Sequence, residues 1–309
     1  MIHKPFVTAI IPFFNEETFL EETVQSVLDQ DYDHWELLLV DDGSTNRSTE
    51  IAKKFASKYP AKIFYIEHDN HLNKGVSATR NLGIWKAKGT LIAFLDADDK
   101  WLPNKLSHQV SIFEKFPDIG MIAEASIYWY NWNDLNKKNI LTPVGAENDK
   151  VYDPPQMLFE IYPLKAGAAP CPCSLMIKKT TLEKIDGFEE QFVKEYQIYE
   201  DQAFLTKVYL YDKVYVSSAA NNLYRQRPDS CVYTGHSKGM YHAIRKYFLH
   251  WFKKYLEKNA IDDKKIHKLL NKSLYRYDHP NLYFLFHSMP QTTTRYIKRK
   301  LARLLKGKN

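Results

Sequence analysis

The sequence predicts an α/β fold with a mainly parallel central sheet, helices on both faces and a helical extension at the C-terminus. Apolar segments rich in β-branched residues alternate with amphipathic segments up to about residue 115. These apolar segments do not alternate in polarity, which is typical of parallel strands covered on both faces. From about residue 237 onward, helical patterns dominate.

The elements follow one another in a regular order. Four strands are predicted in the first part of the chain: "FVTAIIPFF", "WELLLVDDGS", "KIFYIEH" and "TLIAFLDADD". Four helices follow them in turn: "NEETFLEETVQSVLDQ" with Asn15 as its N-cap, "TEIAKKFASKY", "SATRNLGIWKAK" and "PNKLSHQVSIFEKF". Beyond residue 116 the pattern is mixed, with predicted strands "MIAEASIYWYNW", "SLMIKK" and "KVYVSS" and a helix "YEDQAFLTKVYLY".

Charge divides the chain unevenly. Residues 236–309 contain 18 Lys and Arg against 4 Asp and Glu, a net +14, whereas residues 1–235 carry a net −8. We therefore expect a main domain over 1–235, with halves 1–115 and 116–235, and a basic, aromatic helical region over 236–309.

Several classes of protein are disfavoured by the sequence. No apolar run reaches the ~18 residues that a membrane span needs, and the N-terminus resembles a first strand rather than a secretion signal. Three cysteines, Cys171, Cys173 and Cys231, argue against a disulfide scaffold and favour a reducing cytoplasm. No G-x-G-x-x-G motif follows the first strand, which disfavours a nicotinamide-dependent enzyme.

Acidic residues stand where two predicted strands end. Asp41 and Asp42 end the second strand, and Asp96 and Asp98 end the fourth. Ligands of parallel sheets bind beyond the carboxyl ends of the strands, so we expect the two acidic groups to meet in one crevice. A D-x-D pair there suits a hard cation such as Mg²⁺ or Mn²⁺. The alternative is a turn with solvated acids.

Four sequence blocks occur in a fixed order: "IIPFFNE", "LLLVDDGSTN", "ATRNLGIWKAKGTLIAFLDADD" and "GFEEQF…YEDQAFLTKVY". Together they resemble the inverting family 2 glycosyltransferases with the Rossmann-like GT-A fold, over roughly residues 5–230. The resemblance implies transfer of a sugar from a nucleotide-diphosphate donor, most often UDP-linked, to a hydroxyl of a glycan or lipid-linked acceptor in surface polysaccharide or glycoconjugate synthesis. It also implies that 1–115 binds the nucleotide and 116–235 the acceptor.

The resemblance implies roles for particular residues. Those assigned to the donor nucleotide are Pro12, Phe14, Glu16, Asp42, Arg80 and Asp96. Asp42 would recognise the base, and Asp41 would reach the ribose or cap the following turn. Asp98 would hold a divalent cation, Mn²⁺ or Mg²⁺. Arg80 would either contact the ligand or pair with the acids.

The second half of the chain supplies the remaining assignments. Asp201 matches the catalytic base, while Glu200 points elsewhere because consecutive helical residues diverge by about 100°. The alternative is that both acids favour the helix dipole. Arg225 and Arg227 are assigned to the diphosphate. Many relatives carry a His at the position of Arg227, so a third metal ligand from the segment 223–232 is in doubt.

The C-terminal segment 294–308 has seven basic residues and no acid. An apolar face on it predicts a helix that lies on an anionic membrane surface, or that packs on the protein or a partner. The chain contains no element that reads nucleic acid. A cytoplasmic enzyme is therefore expected, peripheral on the inner face of the membrane if this helix binds lipid. The alternative is a non-catalytic nucleotide-sugar or glycan-binding protein that retains the fold.

Overall fold

The structure is a computed structural model that describes residues 4–230, 239–284, 293 and 296. The chain forms two compact units, Met1–Ile244 and Arg245–Asn309. The predicted domain boundary after residue 235 and the predicted membrane-binding segment 294–308, apart from Tyr296, lie outside the described residues. Both therefore stay predictions.

A large mixed sheet dominates the first unit. Its strands, in spatial order, are β3, β2, β1, β4, β10, β6, β11 and β9. Their bounds are β1 Val7–Phe13, β2 Trp35–Asp41, β3 Ile63–Glu67, β4 Leu91–Phe94, β6 Met121–Glu124, β9 Lys150–Tyr152, β10 Leu175–Lys178 and β11 Val214–Ser217. The first four strands are parallel, whereas β10 is antiparallel to both of its neighbours. The predicted α/β class, with a mainly parallel sheet at its centre, is confirmed.

Helices of the first unit connect these strands. They are α1 Leu20–Leu28, α2 Ser48–Lys58, α3 Val76–Lys86, α4 Lys105–Lys115, α5 Lys179–Lys184 and α6 Glu200–Tyr211. Every residue of β1 and β2 is buried, as expected for strands covered on both faces. Helix α3 lies so close to the sheet that a Cβ on Gly83 would come within 2.7 Å of Cγ2 of Ile10. Glycine at that position lets the helix pack directly on β1.

A small second sheet corrects one sequence prediction. Its order is β5, β12, β7 and β8, with bounds Lys100–Trp101, Asn222–Arg225, Ser126–Trp129 and Ile140–Thr142. The sequence predicted one strand over 121–132, but the chain leaves the large sheet after β6 and enters the small sheet at β7. Only Ala125 separates the two strands. Arg225 is the last residue of β12, a strand that the sequence did not predict.

The start of α1 also differs from the prediction. The helix begins at Leu20, and the expected N-cap Asn15 has a positive φ of 57°. The Asn15 side chain accepts a hydrogen bond from the backbone N–H of Thr45 (2.8 Å). Asn15 therefore ties the end of β1 to the loop after β2, and the N-cap prediction is wrong.

The second unit contains helices α8 Lys264–Asp278 and α9 Pro280–Tyr283. It also contains most of helix α7 Tyr241–Lys258. Asp263 caps α8, because its side chain accepts hydrogen bonds from Lys265 N (2.8 Å) and Ile266 N (2.9 Å). Apolar side chains at four-residue spacing are buried on both long helices: Phe248, Phe252, Leu256, Ile266, Leu270 and Leu274. None of the helices among the described residues is long and apolar enough to cross a membrane.

Candidate active site

Two acidic groups flank the carboxyl end of β1. This strand pairs with β2 on one side and with β4 on the other. Backbone hydrogen bonds continue past the strand ends, from Asp42 N to Phe13 O (2.9 Å) and from Leu95 N to Ile10 O (3.0 Å). The acids at the ends of β2 and β4 therefore stand on the two sides of one strand end, and their meeting in one crevice stays a prediction.

A tight turn presents Asp96 and Asp98. Asp99 N donates to Asp96 O (3.0 Å), and Thr23 Oγ1 donates to the carbonyls of Ala97 and Asp99 (both 2.9 Å). The Asp99 side chain is buried, and its Oδ1 accepts a hydrogen bond from Arg225 N (2.8 Å). Asp99 therefore holds the turn in place, while the side chains of Asp96 and Asp98 stay 28% and 26% exposed.

Arg227 joins Asp98 to Glu16. Its Nη1 lies 3.0 Å from Asp98 Oδ2 and 2.9 Å from Glu16 Oε2. Burial, and then the neighbouring charges of Asp96 and Glu16, raise the pKa of Asp98 to about 6. Burial is also the main cause that raises the pKa of Glu16. Glu16 and Asp98 are therefore two carboxylates whose negative charge is offset by the guanidinium of Arg227 between them.

Arg225 lies beneath the same turn with its side chain buried. Its Nε donates to Asp98 O (2.5 Å), and its Nη2 donates to Glu22 Oε2 (2.7 Å). The guanidinium is 4.3 Å from the ring centroid of Phe19 and 4.2 Å from that of Trp129. Since backbone, carboxylate and aromatic partners already engage it, this placement favours a role in positioning the turn over contact with a diphosphate.

Arg80 links the acidic turn to the start of α6. This buried side chain donates from Nη2 to Asp96 Oδ1 (2.5 Å) and from Nη1 to Glu200 Oε1. Its guanidinium also packs over the ring of Phe188, 5.2 Å from the centroid. Of the two roles that the sequence left open, pairing with the acids is the one that the structure displays.

Glu200 and Asp201 begin α6 and have different surroundings. Arg80 holds Glu200, whereas Asp201 Oδ1 accepts from the backbone N of its neighbour Gln202 (2.6 Å). Within the described ranges, no basic side chain lies within 4.0 Å of the Asp201 carboxylate. Burial, followed by the charge of Glu200, raises the pKa of Asp201 to about 7. Asp201 is therefore an acid held near its ionisation midpoint at neutral pH.

The acids after β2 bind two different loops. Asp41 accepts hydrogen bonds from Ser44 N (2.8 Å) and Thr49 Oγ1 (2.5 Å), which agrees with the capping alternative for this residue. Asp42 accepts from Lys74 N (2.7 Å) and Gly75 N (3.0 Å to Oδ2). A carboxylate has about four acceptor positions, so Asp42 keeps capacity for another donor.

Pro12 and Phe14 differ in exposure. Pro12 is buried in β1, where it is in register with Val40. Phe14 is 46% exposed directly after the strand. An exposed aromatic ring at a strand end is a surface on which a flat base can stack.

The carboxylates around Asp98 suit a divalent cation that takes only part of its coordination shell from the protein and the rest from the substrate. Among the described residues, no group of three or more His, Cys, Asp or Glu side chains has the arrangement of a preformed metal site. Mg²⁺ and Mn²⁺ commonly bind through one or two carboxylates and take further ligands from water and phosphates. Asp98 with its acidic neighbours fits that mode. Arg227, which has no acceptor atom, cannot serve as a ligand.

Sequence reasoning did not find several contributors to the site. Glu22 pairs with Arg225 and with Lys100 (2.9 Å), although its position suggested only an acid in the first turn of α1. Trp132 Nε1 donates to Gln226 O (3.1 Å) and supports the segment after β12. Trp101, in β5, is buried, and its Nε1 donates to Cys173 O (2.9 Å).

The mainly parallel sheet with helices on both faces is a fold of the GT-A type. Residues 8–186, more than half of the chain, match the family described as "Glycosyl transferase family 2". The protein therefore belongs to glycosyl transferase family 2, and the resemblance noted in the sequence is confirmed.

Known proteins similar to this chain agree with that class. The putative teichuronic acid biosynthesis glycosyltransferase TuaG of Bacillus subtilis (strain 168) is 39% identical over 107 residues, which are 35% of this chain and 41% of TuaG. The chain thus aligns with less than half the length of that relative. Residues 1–349 of S. aureus TarS in complex with UDP-GlcNAc superimpose with a TM-score of 0.60 at 16% identity, covering 95% of this chain and 79% of the other.

A second similar structure contains a metal ion. The mannosyltransferase PcManGT from Pyrobaculum calidifontis, in complex with GDP-Man and Mn²⁺, has a TM-score of 0.55 at 17% identity. It covers 93% of this chain and 71% of that chain. At these identities the two structures establish the shared GT-A fold.

Proposed function

We propose that the protein is an inverting glycosyltransferase that moves a sugar from a nucleoside-diphosphate donor, with UDP as the nucleotide, to a hydroxyl of a glycan or lipid-linked acceptor. One observation carries the proposal. Arg80 holds Asp96, in the turn after β4, and Glu200, at the start of α6, in one buried cluster. Asp201 follows Glu200 in the chain, and no basic side chain among the described residues lies within 4.0 Å of its carboxylate, which supports its proposed role as the base.

Asp201 would be the general base. It would accept the proton from the attacking acceptor hydroxyl while the bond between sugar and diphosphate breaks on the opposite face of the anomeric carbon. A base is most effective when its pKa lies near the working pH, and the pKa of Asp201 is raised to about 7. Glu200 would not compete for this role, because Arg80 already holds it.

The donor would lie across the ends of β1, β2 and β4. Asp42 would accept the imide N–H of the base with its remaining acceptor capacity, the backbone of Pro12 and Phe14 would line that pocket, and Phe14 would cover the ring. Asp96 would face the ribose. Asp98 would hold a divalent cation, which when bound neutralises charge on the departing diphosphate. Arg227 would donate to the phosphate oxygens with its planar fork.

Synthesis of a surface polysaccharide or glycoconjugate is the setting that we propose. It is supported by the similarity to TuaG, described as acting in teichuronic acid biosynthesis. Residues 116–235 would bind the acceptor.

Calorimetric titration with UDP, GDP and dTDP, each with and without Mn²⁺, tests the donor site. We expect one nucleotide, UDP, to bind in a Mn²⁺-dependent manner, and Asp98→Ala to weaken that binding. Asp33→Ala is the matched control, since it removes an exposed acid that pairs with Lys4. Absence of Mn²⁺-linked binding for all three nucleotides would refute the proposed donor site.

A second experiment separates catalysis from binding. Asp201→Asn should bind UDP like the wild type but lose transfer from UDP-sugars to a hydroxyl acceptor. Near-complete transfer activity in Asp201→Asn would refute its role as base. If the wild type binds UDP but turns over no UDP-, GDP- or dTDP-sugar, the protein is a non-catalytic binder that retains the fold.

A further inference from the structure

Arg227 occupies the space between two carboxylates of the proposed donor site. A single nitrogen, Nη1, contacts both oxygens of Glu16 (3.1 and 2.9 Å) and Oδ2 of Asp98 (3.0 Å). The other edge of the guanidinium binds Asp229 through Nε (3.0 Å) and Nη2 (2.8 Å). All three acids are thus held by one side chain that is 13% exposed.

The same oxygens are those that a divalent cation would need. Mg²⁺ and Mn²⁺ require direct contact with carboxylate oxygens, and Asp98 Oδ2 is already an acceptor for Arg227. A guanidinium stays protonated in proteins and cannot become a metal ligand. Two positive groups on one pair of carboxylates also repel each other, so occupancy by one weakens occupancy by the other.

Arg227 can leave this position without disturbing the strand before it. Arg225, two residues earlier, is fixed in β12 by its partners in the turn after β4 and in α1. Arg227 itself lies beyond the end of β12, and its outer partner Asp229 has a side chain that is 68% exposed. Rotation of the Arg227 side chain therefore breaks its contacts with Glu16, Asp98 and Asp229 and its packing over the ring of Phe19 (5.0 Å to the centroid), and none of these four residues lies in a strand.

We infer that Arg227 and a divalent cation compete for Glu16 and Asp98, and that Arg227 transfers to the donor diphosphate when the nucleotide and the cation enter together. The protein without donor then has its acids neutralised internally and binds free Mn²⁺ weakly. This inference rests on the proposed function for the existence of the donor site. It adds that Arg227 makes tight binding of the cation depend on the nucleotide.

Mn²⁺ binding to the nucleotide-free full chain, followed by electron paramagnetic resonance of free Mn²⁺, tests the inference. Arg227→Gln removes the charge and should bind Mn²⁺ at least about tenfold more tightly than the wild type, given the size of close charge interactions near a surface. Arg227→Lys keeps a charge but loses the fork, so its affinity should lie between the two. Arg276→Gln, the same change of charge on an exposed residue of α8, should not alter Mn²⁺ affinity.

Nucleotide binding supplies the second readout. With saturating Mn²⁺, Arg227→Gln should bind UDP more weakly than the wild type, although it binds the metal more tightly. A purely structural role for Arg227 would lower both affinities together. The inference is overturned if folded Arg227→Gln and Arg227→Lys show unchanged or reduced Mn²⁺ affinity while the wild type binds UDP. Failure of the wild type to bind any nucleotide would instead refute the donor site itself.

Discussion

Replacing Arg80 by Met should destabilise the first unit strongly. The Arg80 side chain is 3% exposed, and it forms charge-assisted hydrogen bonds with Asp96 and Glu200. Met has a similar length and is apolar, so it fills much of the space but leaves both acids without their cation. The substitution therefore isolates the loss of charge pairing from the loss of packing.

The size of the effect follows from the burial of each partner. Glu200 has a side chain that is 8% exposed, and its Oε2 has no hydrogen-bond partner in the described part of the chain, so Arg80 provides its counter-charge. Asp96 is 28% exposed and would regain water. Removing one partner of a buried ion pair costs about 3–5 kcal/mol, and most of this would come from Glu200. We expect the free energy of unfolding to fall by about 3 kcal/mol or more.

A double-mutant cycle measured by urea denaturation at pH 7 checks this reasoning. Arg80→Met, Glu200→Gln and the combined variant would be compared with the wild type. The combined variant should recover about 2 kcal/mol relative to the sum of the single changes, because the neutral amide that replaces the Glu200 carboxylate needs no counter-charge. Arg276→Met, an exposed change, should stay within about 0.5 kcal/mol.

The result that would refute the argument is a loss below about 1 kcal/mol for Arg80→Met, or strict additivity in the cycle. Either result would mean that water reaches Glu200 readily. The proposed link between the turn after β4 and the start of α6 would then have little energetic weight.

Other expected outcomes test separate parts of the structure. The pKa of Asp201 is raised to about 7, and only the ionised carboxylate accepts a proton. The value of kcat/KM should therefore fall about tenfold per pH unit below pH 7 and level off above it. A flat pH profile of kcat/KM from pH 5 to 8 would contradict the role of Asp201 as base. Arg225→Met should raise the KM for the donor and lower thermal stability together, since the Arg225 side chain donates a hydrogen bond to the Asp98 carbonyl. An unchanged KM would argue against a role of Arg225 in positioning the Asp98 turn. Gly43→Ala should lower the free energy of unfolding, measured by urea denaturation, by about 2 kcal/mol, because Gly43 has a φ of +78° and a Cβ there would lie 2.7 Å from His71 O. An unchanged free energy of unfolding would mean that the loop shifts freely.

The parallel half of the fold was predictable because its signals are local. Each of the first four strands is a continuous apolar run, and the predicted bounds differ from β1–β4 by only a few residues at most ends. The small sheet was not predictable, since β5 has two residues and β12 has a polar residue, Asn222, at its start. These strands exist because of pairing between distant segments, which sequence periodicity does not report.

The residues of the candidate site likewise divide into those that local sequence predicts and those that depend on contacts between distant segments. Asp42, Asp98 and Asp201 were found from short motifs at the ends of elements, and their functional roles stay predictions. The burial of Arg225 depends on Glu22, 203 residues earlier, and on Trp129 in another element. Likewise, the joining of Asp96 to Glu200 by Arg80 depends on a contact across 120 residues. No local pattern contains that information.

The single residue between β6 and β7 has a consequence for motion. Because Ala125 alone separates strands that belong to the two sheets, neither sheet can rotate without carrying the other, and Asn222 Nδ2 donates to Ala125 O (3.0 Å) at this junction. Rearrangement around an incoming donor would then fall to side chains at the edge of the two sheets, such as Arg227, whose partners Glu16, Asp98 and Asp229 lie outside the strands. The two joined sheets would act as a rigid frame for that change.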